Sequence, residues 1–257
     1  MDADLRHASQ SDIPTTCAFL AGRLRRTMAT GDLDRIEQLI TEKRSFTGRL
    51  IDLGTELPAD AGIYLASGLV LRTAIRDDNR SILGIHPPGD FLNLRELALG
   101  DEGARLTTAG PVTIGLFEPD ALHQTMRDNG AIANAIRAAG YFEMAVQQKW
   151  IQMLQQSGAG QRLAHVICEL RHRLGQVSEQ PPRVLRTPFT QYDFADMIGV
   201  SAIHANRAVG KLKKEGFCEV RRGDVYCGDW PALERFAQFD PAYLYALPEP
   251  AIGLTPR

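Results

Sequence analysis

The sequence predicts an α+β protein in three parts: an N-terminal antiparallel, jelly-roll-like β-roll preceded by helices, one long helix, and a small helical C-terminal part ending in a hairpin. Three observations carry this. Short apolar runs punctuated by Gly, Pro, Asp and Asn fill residues 46–117, the texture of a closed antiparallel sheet. An apolar stripe recurs every 3.5 residues from Ile132 to Met153. Past residue 160, two short amphipathic segments flank a glycine and precede a hairpin-like pair of runs.

The first 45 residues read as helical. Thr15 to Met28 places Phe19, Leu20, Leu24 and Met28 on one face. After Gly31, Asp32 can cap a second helix with Leu33, Ile36, Leu39 and Ile40 inward. Strands are expected at Leu50–Leu53, Gly62–Leu65, Gly68–Leu71, Ser81–Ile85 and Pro111–Phe117, with turns at 57–60, 77–79 and 87–90. Pro119 suits the start of a helix, and Asp128-Asn129-Gly130 separates it from the next.

That next helix carries Ile132, Ile136, Ala139, Glu143, Val146, Trp150 and Met153 at alternating spacings of 4 and 3. Three heptads of such a stripe read as the seam of a homodimer. The alternative packs the stripe on its own β-domain, and Glu143 within it speaks for that alternative, since a buried carboxylate is costly. Ser157-Gly158-Ala159-Gly160 reads as a hinge. The expected division is 1–130 for the β-roll with its helices, 131–157 for the pairing helix and 158–257 for the C-terminal domain.

Composition bounds the function. Of 257 residues, 44% are hydrophobic and 23% charged, which excludes a disordered or low-complexity chain. No apolar run approaches the roughly 18 residues of a spanning helix, and residues 1–14 lack a signal-peptide layout. A cytoplasmic protein with no membrane partner is expected. Cys17, Cys168, Cys218 and Cys227 have no C-x-x-C spacing, so neither zinc nor an iron–sulfur cluster fits. There is no phosphate loop, metal motif or nucleophile triad, so no enzyme is expected. The net charge is −2, yet residues 201–222 hold six basic side chains against two acidic ones. A local +4 on an acidic chain points to a polyanion or to a solvated helix face.

Residues 190–212 decide between these. Thr190 can cap a helix with Asp193 in its first turn; Phe194, Ala195 and Ile198 form its buried side, and Gly199 makes the turn. Ser201 caps a second helix, with Ile203 or Ala205, Val209 and Leu212 inward. Glu215-Gly216-Phe217 ends it, and Cys218 to Cys227 reads as a hairpin around Gly223-Asp224. Helix, turn, helix and wing within one short block is the layout that enters a major groove.

On these residues the chain resembles the Crp/Fnr family of bacterial transcription regulators. Leu83 to Phe91, with Pro88-Gly89-Asp90-Phe91, resembles the family's effector-domain turn. Gln161 to Leu170 is similar to the first helix of its C-terminal domain, and Thr190 to Leu212 with the hairpin is similar to its winged helix. The resemblance implies double-stranded DNA as partner, a homodimer and contact with RNA polymerase. It also implies base-reading positions at Ala202, Ile203 and His204, with Arg207 one turn on. An Arg can pair bidentately with guanine. Asn206 can reach a base or a phosphate. Lys211, Lys213, Arg221 and Arg222 are expected on phosphates, with Thr190, Gln191 and Ser201 at helix starts.

The effector departs from the family's cyclic-nucleotide pattern. Asn93-Leu94 stands where a Gly-Glu pair would bind the ribose, and Glu102 stands near the Arg of the cyclic phosphate. Cyclic AMP is not expected, although Glu96 and Arg105 lie close enough to substitute after a shift. A lone Cys17 does not supply the N-terminal cluster of an oxygen sensor. Haem would need His86 or His123, but a lone His is more often a surface or satisfied residue, so haem is not expected. A rival function is a ligand-binding module acting through protein partners, with the C-terminal block as the interface; a salt-steep gel shift separates the two.

Overall fold

The computed structural model describes residues 29–77, 79–100, 104–177 and 184–244. The expected helix at Thr15–Met28, and with it Cys17, lies outside these. Helix α1 (Thr30–Gln38) is followed by strand β1 (Glu42–Phe46), short helix α2 (Leu53–Glu56) and strands β2 (Gly62–Ser67), β3 (Val70–Arg76) and β4 (Asn79–His86). Helix α3 (Leu94–Leu99) precedes β5 (Arg105–Thr108) and β6 (Val112–Phe117). These strands form two three-stranded antiparallel sheets, β1-β6-β2 and β4-β3-β5. Leu53, Leu65, Val70, Leu92, Val112 and Ile114 pack between them.

Three expectations fail here. Leu50–Leu53 is not a strand: Leu50 adopts φ 57°, and the Asp52 carboxylate accepts the Gly54 N–H at 3.0 Å, capping α2 instead. A local cap outcompetes the ladder at that point. Glu42–Phe46 is a strand rather than the end of a helical region. Its charged sequence suits a sheet edge, and among the described residues it pairs only with β6. Strand β5 was not expected at all; Arg-Leu-Thr-Thr is too short and polar to show alternation, and its Thr108 hydroxyl bonds to Gly48 O instead.

Helix α4 (Pro119–Asp128) starts on its proline. Asn129 ends it and caps the 27-residue α5 (Gly130–Gln156), accepting the N–H groups of Ala131 and Ile132. The stripe read as a seam is buried within this one chain. Ile132 and Ile136 join Ile36, Tyr64 and Phe117. Val146, Trp150 and Met153 join Leu71 and Ile85 of the β-roll and Leu163 and Ile167 beyond the hinge. Ala139 and Glu143 are half-buried. The chain breaks at Ser157, extended at φ −115° and ψ 149°. Then α6 (Ala159–Val177), β7 (Val184–Leu185), α7 (Gln191–Ile198), α8 (Ala202–Lys214), β8 (Glu219–Arg221), β9 (Asp224–Tyr226) and α9 (Trp230–Ala237) follow. The last strands form a small sheet in the order β7-β9-β8.

Candidate nucleic-acid interface

Helix α7 begins with a complete capping box. The Thr190 hydroxyl accepts the Asp193 N–H at 3.2 Å, and the Asp193 carboxylate accepts the Thr190 N–H at 2.7 Å. Phe194, Ala195, Met197 and Ile198 are buried beneath it. Gly199 then takes φ 64°, the left-handed conformation that an L side chain resists. Ser201 caps α8 by accepting the His204 N–H. Its hydroxyl also lies 2.8 Å from His204 Nδ1, which leaves Nε2 to point away from the cap.

The helical period now sorts α8. Ala205, Ala208 and Leu212 are buried, and Val209 is half-buried. Ile203 is 67% exposed, so of the two inward alternatives Ala205 is the one used. His204, Asn206, Arg207, Lys211, Lys213 and Lys214 are exposed, and Ala202 is half-buried. Thr190 and Gln191, at the start of α7, are exposed as well. Ile203, Arg207 and Lys211 fall at steps of four and share one face.

The cations differ in their partners. Lys213 Nζ lies 2.5 Å from a Glu219 oxygen, and Arg221 holds the other oxygen of the same carboxylate. These two bonds, Arg221's first, push the Glu219 pKa down to about 2. Lys211 lies 3.8 Å from Glu215. Arg207, Lys214 and Arg222 have no carboxylate partner among the described residues. The wing turns at Arg222-Gly223, one residue before the expected position. Both residues have positive φ, 52° and 92°, as a two-residue hairpin with the right twist requires. A Cβ on Gly223 would meet Phe189 O at 2.5 Å.

Sequence reasoning missed what holds this unit in place. Asp193 is also the anchor of α7 on the β-roll. Arg49 Nη2 lies 2.6 Å from one carboxylate oxygen and Arg80 Nη2 2.7 Å from the other. Arg80 reaches Asp196 as well, at 2.7 Å, and Arg49 donates to Pro188 O just before the cap. Burial acts to raise the Asp193 pKa, but the Thr190 N–H, Arg49, the Thr190 hydroxyl and Arg80 outweigh it, so the value falls below the usual aspartate range. Asp196, also chiefly under burial, is raised. Tyr192, 70% exposed beside the start of α7, is a further missed candidate; a large aromatic on the outer side of an amphipathic helix was its only signal. Among the described residues, no group of His, Cys, Asp and Glu could hold a metal ion, and no helix is long and apolar enough to cross a membrane.

Residues 161–236 match the model of the Crp-like helix-turn-helix domain. The nitrogen fixation regulation protein FixK of Bradyrhizobium diazoefficiens is 20% identical over 221 residues, 86% of this chain and 92% of that protein. Two solved structures share the fold. FixK2 from Bradyrhizobium japonicum is 18% identical, with a TM-score of 0.62 over 76% of this chain and 96% of its own. The c-di-GMP-responsive global regulator CLP of Xanthomonas campestris is 21% identical, with a TM-score of 0.57 over 77% of this chain and 99% of its own. The capped pair of helices and the wing therefore form a Crp-like helix-turn-helix domain, and the β-roll, long helix and C-terminal unit together share the fold of these two structures.

Proposed function

We propose that the protein binds a pseudopalindromic operator as a homodimer, with α8 in the major groove and the wing on the flanking backbone. The observation that carries this is the outward face of α8, where Ile203, Asn206 and Arg207 stand clear of the core while Ala205, Ala208 and Leu212 fill it. In this reading Ala202 and Ile203 meet thymine methyls. Arg207 and His204 read base edges, and Asn206 reaches a base or a phosphate. Thr190, Gln191, Ser201, Lys211, Lys213, Arg221 and Arg222 hold phosphates. RNA polymerase is the protein partner. Residues 1–130 form the effector domain, 131–157 the pairing helix and 158–257 the DNA-binding domain.

The dimer face we assign lies beside the stripe that the chain buries in itself. Tyr141, Met144 and Ile151 are 49%, 60% and 55% exposed, and with Arg137, Gln148 and Gln155 they follow spacings of 4, 3, 4, 3 and 4. Such a stripe suits a second copy of the same helix. Two features support an effector other than cyclic AMP. Asn93 is committed to the backbone of residues 61–63, accepting the Ile63 N–H and donating to Ala61 O, each at 2.8 Å. Glu96 is committed to Arg72.

Selection of binding sites from random duplexes, with sedimentation of the same preparation, tests the reading. A two-fold symmetric site and a dimer of the 28.3 kDa chain are expected. Met144→Asp with Ile151→Asp should give folded monomers with weakened operator binding. A wild-type monomer at micromolar concentration, or selected sites without symmetry, would refute it.

A further inference from the structure

The described residues include three cysteines, Cys168, Cys218 and Cys227, none of them in a disulfide. Cys168 lies in α6, Cys218 just before β8 and Cys227 just after β9. All three join one apolar cluster, Cys168 and Cys218 buried and Cys227 half-buried at its margin. The register of the wing brings two of them together. Arg221 faces Asp224 across the Arg222-Gly223 turn, Val220 faces Val225, and Glu219 faces Tyr226. One step further along the same ladder, Cys218 comes opposite Cys227. Opposed pairs alternate between hydrogen-bonded and non-bonded, and the pair that closes a two-residue turn is bonded. The 219–226 pair is then bonded and the 218–227 pair is not. Non-bonded partners sit closest, with Cα atoms about 4.5 Å apart, inside the roughly 4.4–6.8 Å that a disulfide spans. The period of two also turns Cys218 and Cys227 to the core with Val220 and Val225, away from Glu219 and Tyr226.

The three thiols are not equivalent. Burial pushes Cys168 far above its ordinary pKa and, with Cys227 beside it, pushes Cys218 up to about 12. Burial raises Cys227 as well, but two groups favour its anion: the Asp229 N–H donates to its sulfur, and the Arg171 guanidinium adds its field. Partial exposure together with such groups marks the sulfur that reacts. Cys227 is therefore the one an oxidant meets first, and Cys218 stands opposite to follow. A sulfenic acid that finds no second thiol goes on to a sulfinic or sulfonic acid. At Cys227 that would leave a permanent anion against the apolar cluster, where an unpaired charge is costly.

We infer that Cys218 and Cys227 form a peroxide-oxidisable dithiol, in which Cys218 diverts oxidised Cys227 into a reversible disulfide at the base of the wing. Hydrogen peroxide is the two-electron oxidant. The Cys227 sulfur attacks one peroxide oxygen: an S–O bond forms, the O–O bond breaks, and the departing hydroxide leaves as water with the thiol's proton. The Cys218 sulfur then attacks the sulfenic sulfur. The S–S bond forms, the S–O bond breaks, and the Cys218 proton leaves with that hydroxide as a second water. The product closes residues 218–227, with Arg221 and Arg222 among them, into a covalent loop that keeps the strand register. Cys168, on α6, takes no part. None of this depends on what α8 binds.

Peptide mapping of the full-length protein after hydrogen peroxide, without reductant, tests the site. Trypsin separates residues 215–221 from residues 223–235, one cysteine on each. A cross-linked pair of these peptides, short of two hydrogens, is expected, and dithiothreitol should restore both thiols. This map needs no substitution, so a variant that fails to fold cannot decide it. In Cys218→Ser, Cys227 should be trapped by dimedone as the sulfenic acid. Without dimedone it should pass to sulfinic and sulfonic acid, which dithiothreitol does not reverse, at least tenfold more than in the parent. Cys168→Ser should leave the cross-link unchanged, and Cys227→Ser should leave Cys218 reduced. A parent protein in which Cys227 stays reduced, or is oxidised without the link, overturns the inference. So does a link from Cys227 to Cys168 or Cys17, oxidation of Cys218 in Cys227→Ser, or equal over-oxidation in the parent and Cys218→Ser.

Discussion

The two helices of the helix-turn-helix use charge in opposite directions. Helix α7 turns its carboxylates inward: Asp193 has no exposed side-chain surface and carries two arginines of the β-roll, and Asp196 shares one of them. Helix α8 turns its cations outward, and Arg207 and Lys214 meet no carboxylate among the described residues. The first arrangement fixes where the unit sits. The second leaves it free charge for another molecule. Their difference shows why counting charge along the sequence could locate the α8 surface and not the anchor. A cation on the surface contributes to net charge, whereas Asp193 is neutralised by residues more than a hundred positions away.

The largest effect should come from breaking the anchor. Asp193→Ala removes the second half of a capping box and leaves Arg49 and Arg80 without their shared carboxylate. Loss of one member of a buried pair costs about 3–5 kcal/mol. The lower end applies here, because the side chains of Arg49 and Arg80 keep 32% and 22% of their exposure. Denaturant unfolding should therefore show a loss of about 3 kcal/mol. A loss below about 1 kcal/mol, the usual value of an exposed pair, would demote the anchor to a surface contact. The pH dependence gives a second check. The folded-state pKa of Asp193 lies below its ordinary value of 3.8, so its contribution is present above that value. It is lost as pH falls through the lower folded value. Asp193→Asn should flatten that part of the acid limb, after allowance for Asp196, whose raised pKa acts in the opposite sense.

Removing the outward charge should change recognition and leave stability nearly untouched. Arg207→Ala is expected to cost about 1–3 kcal/mol per half-site and to flatten preference at one symmetric base-pair position. Unfolding should stay within about 0.5 kcal/mol of the parent, as for other surface changes. Operator variants measured by gel shift give the comparison. Full discrimination at every position in the Arg207→Ala protein would assign base reading to His204 instead.

The helix-turn-helix was legible because its signals are local: a cap, a glycine and a hairpin lie within one continuous stretch. So were β2, β3, β4 and β6, whose apolar runs are long enough to show. The rest depended on what the chain meets at a distance. Glu42–Phe46 reads as helical until β6 pairs with it. The α5 stripe has a genuine period, but a period cannot say which surface it faces. Val146 and Trp150 are taken by the chain's own domains, while the adjacent stripe through Met144 is left outside. Arg173 carries no local sign that it crosses the hinge to Asp90. Its role belongs to packing, as does that of Arg49.

The smallest expected effect concerns the carboxylate that interrupts the outward face. Glu219 holds both Lys213 and Arg221, and with its pKa near 2 it is ionised at any working pH. A phosphate must therefore compete with it for two of the cations assigned to the backbone. Glu219→Gln should release both, raise affinity for all duplexes alike and steepen the dependence of log K on log salt by about 0.9 for each phosphate gained. Discrimination between operators should not change, because phosphate contacts position without specifying. Lys213→Ala sharpens the point through a cycle. In the parent it should lower the salt slope by less than one, since Glu219 already occupies that lysine. In the Glu219→Gln background it should lower the slope by about one. An equal drop in both backgrounds would mean that Glu219 does not restrain Lys213 in solution, and α8 would then present all its cations as freely as it presents Arg207.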